Sequence, residues 1–143
     1  MEDHNSPEAV AKRANQEDPI IMYLIVRESL GMSIGKTAAQ CAHASQMLQL
    51  KFNDLEKELY TDLDFLNTIY IFRNWLNSSF RKVVLKADDK EWIKLKSDLE
   101  KYDVIVVDAG LTEIISGSET VIGLWPMYKS KVGKLVKRLQ VLK

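Results

Sequence analysis

Three polar side chains lie at helical spacing near the start of a predicted helix: Lys36, Gln40 and His43. At about 100° per residue they fall within a sector of about 60°, so an ammonium, a carboxamide and an imidazole share one stripe. Lys36 lies in the first turn, where a cation opposes the helix dipole at a cost of roughly 0.3–1 kcal/mol. That cost is easier to understand if the ammonium meets an anion. Asp108, which ends an apolar run at residues 104–107, could supply the carboxylate.

These groups suit electrostatic catalysis with water as the nucleophile. A carboxylate beside an ammonium can orient or deprotonate a water molecule, while the ammonium stabilises an oxyanion or contacts a phosphate. No serine-centred nucleophile elbow is present, and the single cysteine, Cys41, lies two residues before His43, where helical side chains do not face each other. A Cys–His dyad is therefore not expected. The only other histidine is His4, and no ligand cluster accompanies either, so we expect neither a metal nor a cofactor.

Residues 31–37 imitate a phosphate-binding loop, because they follow a predicted strand, open a helix and end in Gly-Lys-Thr. Walker A loops have four residues between their two glycines, whereas three separate Gly31 from Gly35. One residue fewer changes how many backbone N–H groups can surround a phosphate. A nucleotide-binding protein is therefore the less favoured alternative.

The elements that must position these residues are strands alternating with helices, which predicts a largely parallel sheet covered on both faces. Apolar runs predict strands at residues 20–26, 80–87, 104–107 and 120–125. Helical spacing predicts helices at residues 35–52, 66–76, 88–101 and 132–142. The predicted order is β-α-α-β-α-β-β-α, and the short link before the last strand allows one antiparallel pair. Because ligands bind beyond the carboxyl ends of strands in open α/β sheets, we expect Lys36 and Asp108 to share one crevice.

The composition indicates one folded domain. The chain has 143 residues, of which 46% are hydrophobic and 28% charged, with no net charge. Such a chain is too apolar to be disordered and too poor in cysteine to be a disulfide scaffold. No uncharged run approaches the roughly 18 residues of a membrane span, and the N-terminus lacks the apolar core of a signal peptide. We therefore expect a cytoplasmic protein with no membrane partner.

Charge is unevenly distributed between the two ends of the chain. Residues 1–18 carry a net charge of −3 and are interpreted as a flexible acidic extension, followed by a single domain at residues 19–143. Residues 120–143 carry six cations and no acid. Such a segment indicates either a solvated helix face or a patch for an anionic partner.

Three segments together carry a family resemblance. They are MYLIVRESLGMSIGKTAAQCAHA from residue 22, RKVVLKA from residue 81 and VDAGLTEIISGSETVIGLWP from residue 107. In this order they resemble the type II peptidyl-tRNA hydrolases, the archaeal and eukaryotic kind. The resemblance covers about residues 22–142, with an apparent insertion at about residues 53–70. It implies a three-layer α/β/α sandwich with a four-stranded mixed sheet.

The resemblance also implies an activity and a set of functional residues. It implies hydrolysis of the ester between a peptide and the 3′ end of a tRNA, with tRNA as the partner, and the family commonly forms homodimers. By motif position, the implied catalytic residues are Lys36, Asp108 and Thr112. The implied substrate-binding residues are Gln40, His43, Gly110, Gly117 and Thr120.

Four positions depart from the usual pattern of this family. Ile34 stands where many members have a second basic residue, and Leu111 where arginine is common. Ser116 replaces a frequent proline and Trp125 a frequent glycine. Because phosphate contacts dominate nucleic-acid affinity, the loss of two cations affects tRNA binding more than the catalytic groups. A non-catalytic RNA- or protein-binding module on the same fold is therefore a second alternative.

Overall fold

The computed structural model describes residues 5–14, 17–59, 62–110 and 113–143, which form five α-helices and six β-strands. The helices are α1 (Pro7–Ala14), α2 (Ile34–Glu56), α3 (Leu63–Asn77), α4 (Asp89–Ser97) and α5 (Lys134–Arg138). The strands are β1 (Ile20–Arg27), β2 (Lys82–Ala87), β3 (Val104–Val107), β4 (Glu119–Gly123), β5 (Met127–Tyr128) and β6 (Gln140–Val141).

The described strands form one mixed sheet in the order β3-β4-β1-β2-β6, and β5 pairs with the start of β1. β1 and β2 are parallel, whereas β4 is antiparallel to both of its neighbours, β1 and β3. The expectation of a largely parallel sheet with one antiparallel pair is wrong, because four of the five described strand pairs are antiparallel. The prediction of an α/β fold with a mixed sheet is confirmed, but the sheet has six strands instead of four. The additional strands, β5 and β6, have two residues each, which is too short for a hydrophobic pattern to indicate them.

The central strand β1 is buried along almost its whole length and lies between two apolar clusters. Its even-numbered side chains, such as Met22, pack with α2 and α3, including Phe72. Its odd-numbered side chains, such as Ile25, pack with Trp92 of α4 and with the C-terminal segment. Successive side chains of a strand point to opposite faces, so the continuous apolar run of β1 follows from burial on both faces.

Small residues bring α2 close to the sheet. Ala44, near the middle of α2, is completely buried, and a Cβ at Gly123 of β4 would lie 3.2 Å from the Ala44 Cβ. This close approach packs the middle of α2 against β4 at the position where Gly123 pairs with Val104, the first residue of β3. No described helix, α2 included, combines the length and apolar content needed to cross a membrane.

The predicted C-terminal helix at residues 132–142 is wrong over much of its length. α5 covers only Lys134–Arg138, and the next residues form β6, which is antiparallel to β2. The N–H of Leu142 donates to the carbonyl of Val84 at 3.0 Å. The open edge of β2 thus supplies backbone partners that helical periodicity cannot reveal.

Candidate active site

The start of α2 and the carboxyl end of β3 each contribute one charge to a buried ion pair. Lys36 Nζ lies 2.5 Å from Asp108 Oδ1. Only 11% of the Lys36 side chain and 4% of the Asp108 side chain are exposed. The structure therefore brings together the two charges that were expected to share a crevice.

Backbone and capping contacts fix both members of this pair. Ser33 caps α2, and its hydroxyl accepts a hydrogen bond from the backbone N–H of Lys36 at 3.2 Å. The N–H of Asp108 donates to the carbonyl of Ser118, and its own carbonyl accepts from the N–H of Gly117, each at 2.9 Å. The two charged side chains thus extend from backbones that are held independently of each other.

Hydrogen bonding keeps Asp108 ionised. The hydrogen bond from the Lys36 ammonium has the largest effect and holds the pKa of Asp108 below its ordinary value. Burial acts in the opposite direction, and the N–H of Gly110, which donates to Asp108 Oδ2 at 2.6 Å, lowers the pKa further. A carboxylate stabilised as an anion accepts a proton weakly, so this geometry favours orienting a water molecule over deprotonating it.

A buried amide connects Asp108 to β4. Gln40 Nε2 lies 3.4 Å from Asp108 Oδ1, and the Thr120 hydroxyl donates to Gln40 Oε1 at 2.6 Å. An ionised carboxylate only accepts hydrogen bonds, so the amide nitrogen must face Asp108 and the amide oxygen must face Thr120. Thr120 is completely buried. Its hydroxyl therefore determines the orientation of Gln40 without reaching the surface.

Two glycines shape the loop that follows β3. Gly110 has a φ of 75°, and a Cβ there would lie 2.3 Å from the Cα of Ser116. Gly117 has a φ of 86°, but the position of its Cβ would have no atom within 4 Å. Both angles lie in the left-handed region that favours glycine, and Gly110 also permits a close backbone approach. This approach places the Gly110 N–H against the Asp108 carboxylate.

A carboxylate that the sequence analysis missed completes the cap of α2. Glu113 accepts hydrogen bonds from the backbone N–H and the hydroxyl of Ser33, both at 2.7 Å. Donation by the Ser33 backbone and hydroxyl holds the pKa of Glu113 below its ordinary value. An internal capping box would need an acid three residues after the cap, where this chain has Lys36. No local sequence signal indicates Glu113, because it lies 80 residues from Ser33 in the chain.

An open pocket of about 510 Å³ lies against the ion pair. It is lined by Lys36, Ala39, Gln40, His43, Val107, Asp108, Ala109 and Glu113. The imidazole of His43 is exposed and contributes to lowering the pKa of Asp108. Four of the residues predicted from the sequence thus line one pocket, with Thr120 buried behind Gln40.

Cys41 and Thr112 are not among the described residues that line this pocket. Cys41 is half-buried, and burial raises its pKa to about 11, so it is a neutral thiol at physiological pH and a poor nucleophile. Thr112, which the resemblance implies as catalytic, lies outside the described residues, as does Leu111. Among the residues that the structure describes, no group of three or more His, Cys, Asp and Glu side chains could hold a metal ion.

The basic residues of the C-terminal segment are divided between the two ends of the sheet. Lys129 N–H donates to the carbonyl of Pro19, so Lys129 lies at the start of β1, far from the pocket. The eight residues of β1 span roughly 25 Å. Arg138, in contrast, lines a polar pocket with Lys86 and Glu28 at the carboxyl ends of β1 and β2.

Comparison with known proteins gives consistent matches. A model of the family described as Peptidyl-tRNA hydrolase PTH2 matches residues 20–142. The chain is 34% identical over 123 residues to the "Probable peptidyl-tRNA hydrolase 2" of Dictyostelium discoideum and 31% identical over 125 residues to the "Peptidyl-tRNA hydrolase 2" of Saccharomyces cerevisiae. It is 32% identical over 123 residues to the "Peptidyl-tRNA hydrolase" of Thermococcus sibiricus. These alignments cover 82%, 84% and 83% of this chain, respectively.

The share of each relative that is covered differs between the eukaryotic and archaeal proteins. The chain spans 52% of the Dictyostelium protein and 57% of the yeast protein, but 94% of the Thermococcus protein. The match covers most of this chain in every case. The chain belongs to the peptidyl-tRNA hydrolase PTH2 family, and the resemblance inferred from its motifs is confirmed.

Proposed function

We propose that this member of the PTH2 family hydrolyses peptidyl-tRNA, cleaving the ester between peptide and tRNA to release both. The observation that carries the proposal is the buried ion pair between Lys36 and Asp108 against an open pocket, in a chain that matches the family over residues 20–142. The printed names of the relatives state the same activity for those proteins.

A water molecule is the nucleophile in the proposed reaction. The Asp108 carboxylate has about four acceptor sites, of which Lys36, Gln40 and Gly110 use three, so one is left to orient water. The water oxygen forms a bond to the ester carbonyl carbon and gives up one proton, the bond from that carbon to the ribose oxygen breaks, and the ribose oxygen takes up that proton and leaves as a hydroxyl. The ammonium of Lys36 stabilises the negative charge that develops on the carbonyl oxygen. An electrostatic partner of this kind contributes about 10²–10³ in rate.

The polar residues around Asp108 differ in solvent exposure, and we assign their supporting roles on that basis. Gln40 and Thr120 are buried, so we assign them to positioning the carboxylate. His43 is exposed in the pocket, so we assign it to substrate contact.

The loop after β3 supplies the remaining proposed roles. Gly110 and Gly117 hold the loop against the pocket, as their positive φ angles and the close approach at Gly110 support. Thr112 is proposed as a hydrogen-bond partner of the attacking water, on the family resemblance.

The tRNA is proposed to lie across the carboxyl ends of the strands. Arg138 is a cation at that edge, where Lys86 is paired with Glu28 at 3.3 Å, whereas Lys129 is at the opposite end. Phosphate contact by Arg138 would compensate in part for the uncharged residues at positions 34 and 111.

A nucleotide-binding function is less well supported by the same geometry. The backbone N–H of Ser33, which a phosphate would use at the start of α2, donates to Glu113. Lys36, the counterpart of a phosphate-binding lysine, is paired with Asp108. A bound nucleotide would have to break both contacts.

Release of free tRNA from N-acetyl-aminoacyl-tRNA tests the proposal directly. We expect the full chain to release tRNA and Lys36→Ala to do so about 10²–10³ times more slowly, with an unchanged circular dichroism spectrum. Binding of tRNA without release would instead identify a non-catalytic RNA-binding module. Saturable binding of ATP would support the nucleotide-binding alternative.

The layer arrangement, the domain organisation, the oligomeric state and the location of the protein belong to the same proposal. The apolar clusters on the two faces of β1 support a three-layer α/β/α sandwich. The domain boundary at residue 19, the extension at residues 1–18 and the insertion at residues 53–70 stay predictions, as do the homodimer and the cytoplasmic location. Light scattering coupled to gel filtration of the full chain would determine its oligomeric state.

A further inference from the structure

A second open pocket continues from the candidate active site along the edge of the sheet. It lies between α2 and β3, has a volume of about 510 Å³, and shares His43 and Val107 with the active-site pocket. Its apolar lining includes Leu50 of α2, and the residues Leu50 and Val107 are 57% and 59% exposed. We call this pocket the edge groove.

The floor of the edge groove is a sheet edge with open hydrogen-bonding groups. β3 is the outermost described strand on this side, and its backbone pairs with β4. The backbone of Asp108 exchanges hydrogen bonds with residues 117 and 118, just before β4, and the carbonyl of Val106 lies 3.3 Å from Thr120 Oγ1. The backbone groups of Val106 and Asp108 therefore face β4 and the segment that leads into it. The register shift between Val106 and Val107 leaves the extra residue, Thr120, on β4. The backbone groups of β3 therefore keep alternating in direction, and the N–H and C=O groups of Ile105 and Val107 point away from the sheet.

We propose that the edge groove binds the peptide part of the substrate as an added β-strand, an inference that rests on the proposed function. The ester end of the peptide would lie at Asp108, and its main chain would pair with Ile105 and Val107. Main-chain pairing recognises no particular side chain, which suits a substrate whose peptide varies in sequence. Leu50 would contact the peptide from the side of α2.

The sequence of β3 supports pairing with a ligand. Exposed edge strands are protected by short length, β-bulges, lysine, proline or inward-pointing charges. β3 has only four residues and a register shift between Val106 and Val107, but its VIVV sequence carries no lysine, proline or charge. An apolar edge next to a catalytic pocket is accounted for if strand pairing is a step in substrate binding. The distance from Val107 to Ile105 accommodates about three residues of an extended peptide, at about 3.3 Å per residue.

Peptide length is the variable that tests the edge groove. We expect wild-type kcat/KM to be about tenfold higher for N-acetyl-tetrapeptidyl-tRNA than for N-acetyl-aminoacyl-tRNA, mainly through KM, as main-chain hydrogen bonds and apolar contact with Leu50 would together produce. Leu50→Gln should lose the part of this preference that comes from the apolar contact and keep its rate on the one-residue substrate. Ile93→Gln is the matched control, because Ile93 is 69% exposed on α4 and lies outside the groove. It should keep the full preference.

The outcomes separate this inference from the proposed function. Equal kcat/KM for the two substrates in the wild type, or equal loss of preference in both variants, would overturn the peptide groove while leaving the hydrolase intact. Failure to cleave either substrate would overturn the hydrolase and the groove with it. A change of oligomeric mass in Leu50→Gln alone would show that the groove holds a second copy of this chain, which also overturns the inference.

Discussion

The Lys36 ammonium donates to the Asp108 carboxylate at 2.5 Å, although 72 residues separate the two in the chain. Both side chains are nearly inaccessible to solvent, yet both line the candidate pocket. Removing one partner leaves the other as an unpaired buried charge. The pair is therefore expected to contribute to stability as well as to the reaction.

Replacing Lys36 should move the acid limb of the pH–rate profile. The hydrogen bond from Lys36 is the main cause of the lowered pKa of Asp108, so this pKa should rise in Lys36→Met. If ionised Asp108 orients the water, the residual activity of the variant is lost at a higher pH than that of the wild type. The measurement is kcat/KM for N-acetyl-aminoacyl-tRNA against pH. The control is Lys94→Met, at an exposed position of α4. If the acid limbs of the wild type and Lys36→Met coincide, ionised Asp108 does not orient the water.

The same carboxylate should make folding stability depend on pH. A carboxyl group whose pKa is lowered on folding stabilises the protein above its unfolded pKa, and this stabilisation is lost as the pH falls through the folded pKa. Asp108→Asn cannot titrate, so its deficit relative to the wild type should be largest near neutrality and shrink in acid. Urea midpoints from neutral to acidic pH measure this difference. A deficit that is constant with pH would show that Asp108 does not titrate with folding.

Thr120 should affect turnover through Gln40. Thr120→Val leaves the buried Oε1 of Gln40 without its donor, at a cost of about 1–3 kcal/mol in unfolding free energy. We expect kcat to fall about tenfold with little change in KM, because the amide then no longer holds Asp108. Thr120→Ser keeps the hydroxyl and should restore kcat. A variant that loses stability but keeps kcat would limit Thr120 to a structural role.

The two loop glycines should differ in their tolerance of alanine. Gly117→Ala introduces only backbone strain, whereas Gly110→Ala also forces a Cβ to within 2.3 Å of the Ser116 Cα. We expect Gly110→Ala to lower Tm more and to reduce turnover, since the loop carries a donor to Asp108. Thermal unfolding and the tRNA-release assay on both variants measure the difference. Equal Tm values would mean that the loop relaxes around the added methyl group.

Cys41 should react slowly in the folded protein. Burial raises the pKa of its thiol to about 11, so little thiolate is present at neutral pH. Alkylation by iodoacetamide at pH 7 should therefore be much slower for the folded chain than for the chain in urea. Equal alkylation rates, followed by mass spectrometry, would contradict the buried environment of Cys41. Cys41→Ala should retain tRNA release.

Much of the candidate site could be predicted from the sequence because its members depend on local geometry. The spacing of Lys36, Gln40 and His43 places them on one helix face in any α-helix that contains them. The apolar run of β1 requires cover on both faces. The apolar run at residues 104–107 predicts a strand, which places Asp108 at its carboxyl end. The motifs around these residues were enough to indicate the family.

Other features depended on contacts between distant segments, which no local pattern encodes. The donor to Gln40 is Thr120, 80 residues further along the chain, and the cap of α2 is completed by Glu113. The C-terminal helix was predicted too long because the edge of β2 offers backbone hydrogen bonds that compete with helix formation. The edge groove likewise exists only because α2 packs beside an outer strand. Periodicity determines which face of an element is apolar, but only the packed sheet determines which polar groups meet and which edge stays open.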